Sequence, residues 1–161
     1  MSQVKKRILF ICSHNSARSQ MAEAFLKQLG GDRFDVESAG IERGSLNFNV
    51  VKVMAEVCID ISNNESKEVF DLFRQGRMYD AVVTVCDAAN ERCPIFPGMV
   101  RRISWSFPDP STFMGTEEVV LQQTRRLRDE IKEKVTEFIV EASELNYWMH
   151  EEAILIKENM P

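Results

Sequence analysis

Residues 7–19 read Arg7-Ile8-Leu9-Phe10-Ile11-Cys12-Ser13-His14-Asn15-Ser16-Ala17-Arg18-Ser19 and set the architecture of the chain. The run from Ile8 to Ile11 is apolar and rich in β-branched and aromatic residues, which is typical of a strand buried on both faces. A polar loop follows it. From Ser19 onward, apolar residues recur at steps of three and four, which predicts a helix that ends at Gly30-Gly31.

Further strands and helices alternate along the chain. The predicted strands are residues 34–39, 79–85 and 101–107, and the predicted helices are residues 47–57, residues 66–73 and a long one from about residue 120. This alternation predicts an α/β domain with a four-stranded parallel sheet. Ligands of such sheets bind where strands end, so the loops after Ile11, Val85 and Trp105 are the candidate functional loops.

Composition excludes several classes of protein. The chain has 161 residues, of which 44% are hydrophobic and 28% charged, enough for one domain with a full core. A net charge of −5 argues against nucleic-acid binding, and no apolar run approaches the roughly 18 residues of a membrane span. No signal peptide is recognisable, so we expect a cytoplasmic protein whose four cysteines are thiols rather than a disulfide scaffold.

The first loop places a cysteine six residues before an arginine, between a strand and a helix N-terminus. Such a loop directs backbone N–H groups and the helix dipole at one spot, which suits a tetrahedral oxyanion. Arg18 would clamp the oxyanion, and Cys12 would be a thiolate nucleophile with Ser16 and Ser19 as hydrogen-bond donors. The oxyanion-binding loop comprises Ser13, His14, Asn15, Ser16, Ala17 and Ser19. The alternative is an inert buried cysteine beside a surface arginine.

The loop after the last strand carries an aspartate between two prolines. Pro108 and Pro110 fix the backbone of Asp109, which is therefore a candidate general acid. An ordinary Asp-Pro turn is the alternative. Asn15 of the first loop is a residue type that tolerates left-handed backbone geometry, as a tight loop requires.

The remaining three cysteines have different surroundings. Cys86 and Cys93 flank a polar stretch that we expect to be exposed, and their spacing does not fit a zinc site. Intervening helical turns would hold the two sulfurs apart, so a disulfide between them would need that segment to unwind, as in a redox switch. Two unrelated core cysteines are the alternative. Cys58 lies among apolar residues and is predicted to be a small core residue.

Together these segments resemble one superfamily. Residues 12–23 are similar to the phosphate loop of the low-molecular-weight protein tyrosine phosphatases, and Asp109-Pro110 is similar to their general acid. The thioredoxin-coupled arsenate reductase branch is resembled most, through Ser38-Ala-Gly-Ile, Ile59-Asp-Ile-Ser, Val82-Val-Thr-Val-Cys86, Cys93-Pro-Ile and Trp105-Ser-Phe-Pro-Asp-Pro110. The resemblance runs from about Lys6 to about Phe138. It implies a three-layer α/β/α domain over residues 1–140.

The resemblance implies arsenate reduction without a metal or a tightly bound cofactor. Cys12 attacks arsenate held by Arg18, Asp109 protonates the departing oxygen, Cys86 attacks Cys12 to release arsenite, and Cys93 attacks Cys86. Thioredoxin then reduces an exposed Cys86–Cys93 disulfide. One alternative is a phosphatase that hydrolyses phosphate monoesters through a Cys12 phosphoenzyme, and weak activity of that kind is expected in any case. A binding protein without turnover, and coupling to glutaredoxin or mycoredoxin, are further alternatives.

Some members of the family are stimulated by potassium beside the phosphate loop. Asn15, Glu23 and Ser38 match that site, whereas Lys67 takes the place of its remaining carboxylate. We expect the Lys67 ammonium to occupy the place of the cation and pair with Glu23, so that potassium is not required. If the alignment with the family is off by a residue at this point, the carboxylate of Glu65 is the potassium ligand instead.

The chain continues beyond the part that resembles the family. Residues 141–161 are predicted to be a C-terminal helical extension rather than an independent domain, because apolar steps of three and four run on to Met149. The apolar side chains of this extension need cover. We expect the protomer itself to cover them, which predicts a monomer. The alternative is cover by a second copy, which would make the extension a dimerisation arm.

Overall fold

The computed structural model describes residues 4–86, 92–144 and 146–149. Within these residues, one parallel sheet in the order β2-β1-β3-β4 contains β1 (Lys6–Cys12), β2 (Phe34–Gly40), β3 (Ala81–Thr84) and β4 (Arg101–Ser104). The helices are α1 (Arg18–Gly30), α2 (Phe48–Glu56), α3 (Val69–Arg74) and α4 (Glu117–Ala142). The predicted four-stranded parallel α/β fold is confirmed, although β3, β4 and α3 are shorter than predicted.

Helices and loops cover both faces of the sheet. On one face, the Phe34 ring lies 5.7 Å from the ring of Phe138 on α4, and α1 packs on the same side. On the other face, the Tyr79 hydroxyl donates to Glu37 of β2, while the Tyr79 ring packs edge-on against Phe96 at 5.1 Å. Two covering layers around the sheet give the predicted three-layer architecture.

The position of β1 inside the sheet explains why its residues are so apolar. Four consecutive residues of β1, Ile8, Leu9, Phe10 and Ile11, are fully buried because β1 is flanked by β2 and β3 and covered on both faces. The carboxyl ends of β1, β3 and β4 are neighbours in the sheet. The three loops that carry Cys12, Cys86 and Asp109 therefore leave the sheet side by side.

The predicted burial of Cys58 is wrong. Helix α2 ends in a Schellman motif, in which Ile59 N–H donates to Met54 O and Cys58 N–H donates to Ala55 O. This motif needs a left-handed residue just past the helix, and Cys58 occupies that position with φ 63°. The left-handed turn directs the side chain outward, so that Cys58 is an exposed free thiol.

The C-terminal extension leaves the helix earlier than predicted. Helix α4 ends at Ala142, whose carbonyl accepts a 3.0 Å hydrogen bond from Trp148 Nε1, so that the chain folds back on itself. The Tyr147 ring packs edge-on against Phe138 at 6.0 Å, and Lys6 Nζ lies 5.2 Å from the Trp148 ring centroid. Leu145 and residues 150–161 lie outside the described residues, and none of the described helices is long and apolar enough to cross a membrane.

Candidate active site

The phosphate loop wraps around the sulfur of Cys12. Cys12 is buried, and its Sγ accepts a 3.1 Å hydrogen bond from Asn15 N–H and lies 2.8 Å from Ser19 Oγ. Asn15 has φ 52°, which confirms the predicted left-handed geometry. Of the two predicted serine donors, only Ser19, in the first turn of α1, is hydrogen-bonded to Cys12 among the described residues.

The N-terminus of α1 is left open toward the loop. Helix α1 begins at Arg18, and Ala17 at its N-cap has no side chain that could accept from the first-turn N–H groups. The first backbone N–H groups of a helix lack intrahelical partners and attract anions. An oxyanion over Cys12 therefore meets these donors together with the Arg18 guanidinium.

A buried amide network supports the loop from behind. Asn15 is fully buried, and its Nδ2 donates to Ser19 Oγ and Ser38 Oγ at 2.9 Å each. Its Oδ1 accepts from the main-chain N–H of Lys67 and from Gln20 Nε2. The left-handed residue of the loop is thus fixed by α1, by β2 and by the segment before α3.

The loop after β2 lies against the phosphate loop. Ile41 N–H donates to Cys12 O and Glu42 N–H donates to Ser13 O. Gly40 permits this approach, because a Cβ there would lie 2.6 Å from Asn15 N. The His14 side chain is exposed at the mouth of the site, with Nε2 3.7 Å from a Glu42 carboxylate oxygen.

Arg18 connects the phosphate loop to the candidate acid. The arginine is almost fully buried, donates to Phe107 O at 3.1 Å and places Nη2 3.7 Å from Asp109 Oδ2. Asp109 Oδ1 accepts from both the N–H and the hydroxyl of Ser111. Burial raises the pKa of Asp109, but the Ser111 hydrogen bonds and the charges of Arg18 and His14 outweigh burial and hold it below its ordinary value.

The two candidate redox-active cysteines are buried. Cys86 and Cys93 are buried free thiols, 6% and 9% exposed, whereas Arg92, the one described residue of the polar stretch between them, is exposed as predicted. Cys86 Sγ lies 3.4 Å from Ser13 Oγ, which brings it to the rim of the phosphate loop. Burial raises the pKa of Cys93 to about 11, against a smaller lowering by Arg102. Residues 87–91, on which the predicted helical turns fall, lie outside the described residues.

The predicted pairing of Lys67 with Glu23 is wrong. Glu23 Oε1 instead lies 3.4 Å from Nζ of Lys27, one helical turn later on α1, while Glu23 Oε2 accepts from Ser38. Lys67 contributes its backbone N–H to Asn15, and the Glu65 carbonyl accepts from Gln20 Nε2.

A cation beside the phosphate loop would share its ligands with protein donors. The oxygens of Asn15, Ser38 and Glu23 that would hold it all contact such donors, and the Lys27 ammonium already faces Glu23. In the part of the chain that the structure describes, no cluster of three or more His, Cys, Asp or Glu side chains is arranged to hold a metal.

Three supporting residues were not predicted from the sequence. Gln20 and Lys27 lie on α1, and Ser111 follows the acid. For Ser111 a signal exists, since Asp-Pro-Ser is typical of a turn in which the aspartate accepts from the residue two positions on. For Gln20 the only signal is a polar residue directly before the apolar residues of a predicted helix.

The chain is similar to arsenate reductases and to phosphatases in sequence and structure. Residues 7–147 match the model of the family described as low molecular weight phosphotyrosine protein phosphatase. An arsenate reductase of Bacillus subtilis is 47% identical over 134 residues, which are 83% of this chain and 94% of that protein.

Solved structures agree with this relationship. "An arsenate reductase in the phosphate binding state" is 32% identical with a TM-score of 0.70, covering 84% of this chain and 97% of the other. A Corynebacterium glutamicum thioredoxin-dependent arsenate reductase is 25% identical with a TM-score of 0.57, covering 84% of this chain and 64% of the other. The chain belongs to the low-molecular-weight phosphotyrosine protein phosphatase family.

Proposed function

We propose that the protein reduces arsenate to arsenite and takes its electrons from thioredoxin. The observation that carries the proposal is the 3.4 Å contact between Ser13 Oγ and Cys86 Sγ, which brings a second thiol to the loop that holds the nucleophile. A phosphatase of this fold needs one cysteine, because water resolves its covalent intermediate. Similarity to proteins named arsenate reductase supports the same assignment.

The first half of the reaction uses the phosphatase machinery. Arsenate binds over the N-terminus of α1 with Arg18 as its bidentate partner. The Cys12 thiolate, hydrogen-bonded by Asn15 and Ser19, attacks arsenic. In the free protein the pKa of Asp109 is held low, so its carboxyl takes up a proton as the negatively charged arsenate binds beside it. Asp109 then donates this proton to the departing oxygen, which leaves as water, and a thio-arsenate adduct remains on Cys12.

The second half transfers two electrons through the thiols. The Cys86 thiolate attacks the Cys12 sulfur, so a Cys12–Cys86 disulfide forms while the electron pair of the S–As bond stays on arsenic as arsenite. The Cys93 thiolate attacks Cys86 and releases the Cys12 thiolate. Burial raises the pKa of Cys93 to about 11, so the thiol is a weak nucleophile in its buried position and has to lose its proton for the attack.

Thioredoxin closes the cycle by reducing the Cys86–Cys93 disulfide. We propose that no other cofactor takes part, and that the chain works in the cytoplasm, where a reducing environment keeps its thiols ready. Residues 1–140 supply every side chain of this reaction, so we assign the activity to that part of the chain.

The phosphatase alternative rests on the same loop and acid. Phosphate bound over Cys12 meets the same donors, and Asp109 can protonate the oxygen of a leaving alcohol. Weak hydrolysis of aryl phosphates is therefore expected from this protein. In a dedicated phosphatase, however, Cys86 and Cys93 would have no part in the chemistry.

The test is arsenate-dependent oxidation of NADPH with thioredoxin and thioredoxin reductase. The native protein should turn over, whereas Cys93→Ser should stop after about one equivalent of arsenite. Cys58→Ser is the matched control, because Cys58 is exposed on the end of α2 and should leave turnover intact. No native turnover, combined with clear aryl phosphate hydrolysis, would establish the phosphatase instead.

A further inference from the structure

The phosphate loop has its main-chain carbonyl groups bound from outside. The carbonyls of residues 12–16 each accept a hydrogen bond from a group outside residues 12–19. In chain order of the carbonyls, the donors are Ile41 N–H, Glu42 N–H, Ser66 Oγ, Gln20 Nε2 and Asn47 N–H. In a planar trans peptide, the C=O and the following N–H point in opposite directions. A carbonyl that is held outward therefore turns the next N–H toward the inside of the loop.

One of these peptide groups reaches the nucleophile. The peptide group between His14 and Asn15 directs its N–H at Cys12 Sγ, at 3.1 Å. On its opposite side, the His14 carbonyl accepts a 2.8 Å hydrogen bond from Ser66 Oγ. A hydrogen bond to the carbonyl polarises the amide and makes its N–H a stronger donor. Ser66 thus acts on the Cys12 sulfur through the peptide group that lies between them.

The hydroxyl of Ser66 is itself oriented. Gly44 N–H donates to Ser66 Oγ at 3.0 Å, so the single hydrogen of the hydroxyl is left for the His14 carbonyl. Gly44 can come this close because it has no Cβ, which would lie 2.9 Å from the Cβ of His14. The Ser66 hydroxyl therefore joins the loop after β2 to the phosphate loop.

The main chain on both sides of Ser66 is also tied to this site. Lys67 N–H donates to Asn15 Oδ1 at 2.9 Å, and the Glu65 carbonyl accepts from Gln20 Nε2 at 3.3 Å. Ser66 is half-buried between these two residues. The two bonds fix the position of the Ser66 hydroxyl relative to the phosphate loop, so it is a preorganised donor rather than a freely rotating surface group.

The donors to the five carbonyls differ in what a mutation can remove. Three of them are main-chain N–H groups, which remain when a side chain is changed. The other two are the side chains of Ser66 and Gln20, and Ser66 is the one that binds the peptide group facing Cys12.

We propose that Ser66 is a positioning residue of the active site. Its hydroxyl holds the peptide group between His14 and Asn15 in the orientation in which the N–H stabilises the Cys12 thiolate. This inference rests on the proposed function, in which Cys12 is the nucleophile.

Alkylation of Cys12 by iodoacetamide tests the role of Ser66 without any turnover of arsenate. Mass spectrometry of the labelled peptides distinguishes Cys12 from the other three cysteines. Ser66→Ala should slow the alkylation about fivefold at neutral pH, because the thiolate is held less well by the Asn15 N–H. Ser66→Thr keeps the hydroxyl and should react within about twofold of the native rate. A merely structural role predicts the opposite change in Ser66→Ala, since a loosened loop exposes the buried Cys12 and speeds its alkylation.

Ser62→Ala is the matched control, because Ser62 lies in the same segment before α3 but its hydroxyl donates to Asp60. This variant should react within about twofold of the native rate. Equal rates in Ser66→Ala and the control, faster alkylation of Ser66→Ala, or no recovery in Ser66→Thr would each overturn the proposal. Arsenite release is measured separately in the thioredoxin assay. A native protein that releases no arsenite refutes the proposed function, whereas the alkylation rates alone decide the role of Ser66.

Discussion

Gln20 Nε2 donates to both the main-chain carbonyl and the side-chain Oδ1 of Asn15, at 3.1 Å each. Gln20 is 1% exposed, and its own Oε1 accepts from Asn64 Nδ2. Asn15 has a left-handed backbone, which asparagine adopts more readily than most L-residues, and these hydrogen bonds fix it there. The buried glutamine thus holds the backbone turn that directs the Asn15 N–H at the Cys12 sulfur.

Gln20→Met should weaken the site while keeping the volume of the side chain. The variant removes the donor to both carbonyl oxygens of Asn15 and to the Glu65 carbonyl, at a cost of about 1–3 kcal/mol in the free energy of unfolding. Looser placement of Asn15 should also raise the inhibition constant of phosphate. Urea unfolding and phosphate inhibition measure the two effects. Gln28→Met, on the exposed side of α1, is the control, and equal losses in both variants would contradict the positioning role.

Ser19→Ala tests the hydrogen bond at the nucleophile. A bond to a charged group contributes about 1.5–3 kcal/mol, so its loss should slow alkylation of Cys12 by iodoacetamide about tenfold or more at neutral pH. Ser16→Ala removes a hydroxyl from the same loop that does not reach Cys12, and should change the rate less than about twofold. Both variants are compared in a Cys58→Ser background, since Cys58 is exposed. Equal rates in the two variants would exclude Ser19 as the donor.

Ser111→Ala should shift the pH dependence of arsenite release. The Ser111 hydroxyl donates to Asp109 and helps to hold the pKa of Asp109 below its ordinary value, so its removal raises that pKa. A general acid loses activity as the pH rises through its pKa, and a raised pKa therefore moves the descending limb of single-turnover kcat/KM to higher pH. A shift to lower pH would contradict the assignment. Asp109→Asn should lower the rate about 10²-fold or more at pH values below this descending limb, and should abolish the limb itself.

The nucleophile loop could be predicted because one local pattern determines it. A buried strand, a polar loop and a helix N-terminus bring Cys12 and Arg18 to the same oxyanion site in any parallel α/β fold. The place of Asp109 in the site could be predicted from the same rule, that ligands bind at the carboxyl ends of the strands, since β4 ends beside β3. The β1 strand was equally predictable, because burial on both faces requires a continuous apolar run.

The predictions that were wrong concern residues whose position depends on a tertiary contact or a backbone turn, which the local sequence does not determine. Cys58 has apolar neighbours in the sequence, but its left-handed position beyond α2 directs it to solvent. Lys27 rather than Lys67 reaches Glu23, because a helix brings residues four apart together. Ser19 rather than Ser16 reaches Cys12, which depends on where α1 begins.

We expect no specific stimulation by potassium. The Lys27 ammonium contacts Glu23, so a positive charge already faces that carboxylate. Arsenate turnover should therefore be the same in potassium, sodium and tetramethylammonium salts at equal ionic strength. Lys27→Gln removes the ammonium, and stimulation by a small cation is expected in that variant but not in Lys67→Gln. Strong stimulation of the native protein by potassium alone would contradict this interpretation.

We propose that the C-terminal segment packs on its own protomer rather than on a second copy. Trp148 donates to Ala142 O, and the Tyr147 ring contacts Phe138, both within one chain. Light scattering should give a monomer mass for the full chain and for a chain truncated at Glu141. Truncation should lower the free energy of unfolding by about 2–4 kcal/mol, since it exposes aromatic contacts of the core. A dimer that becomes a monomer on truncation would show instead that residues 142–161 are a dimerisation arm.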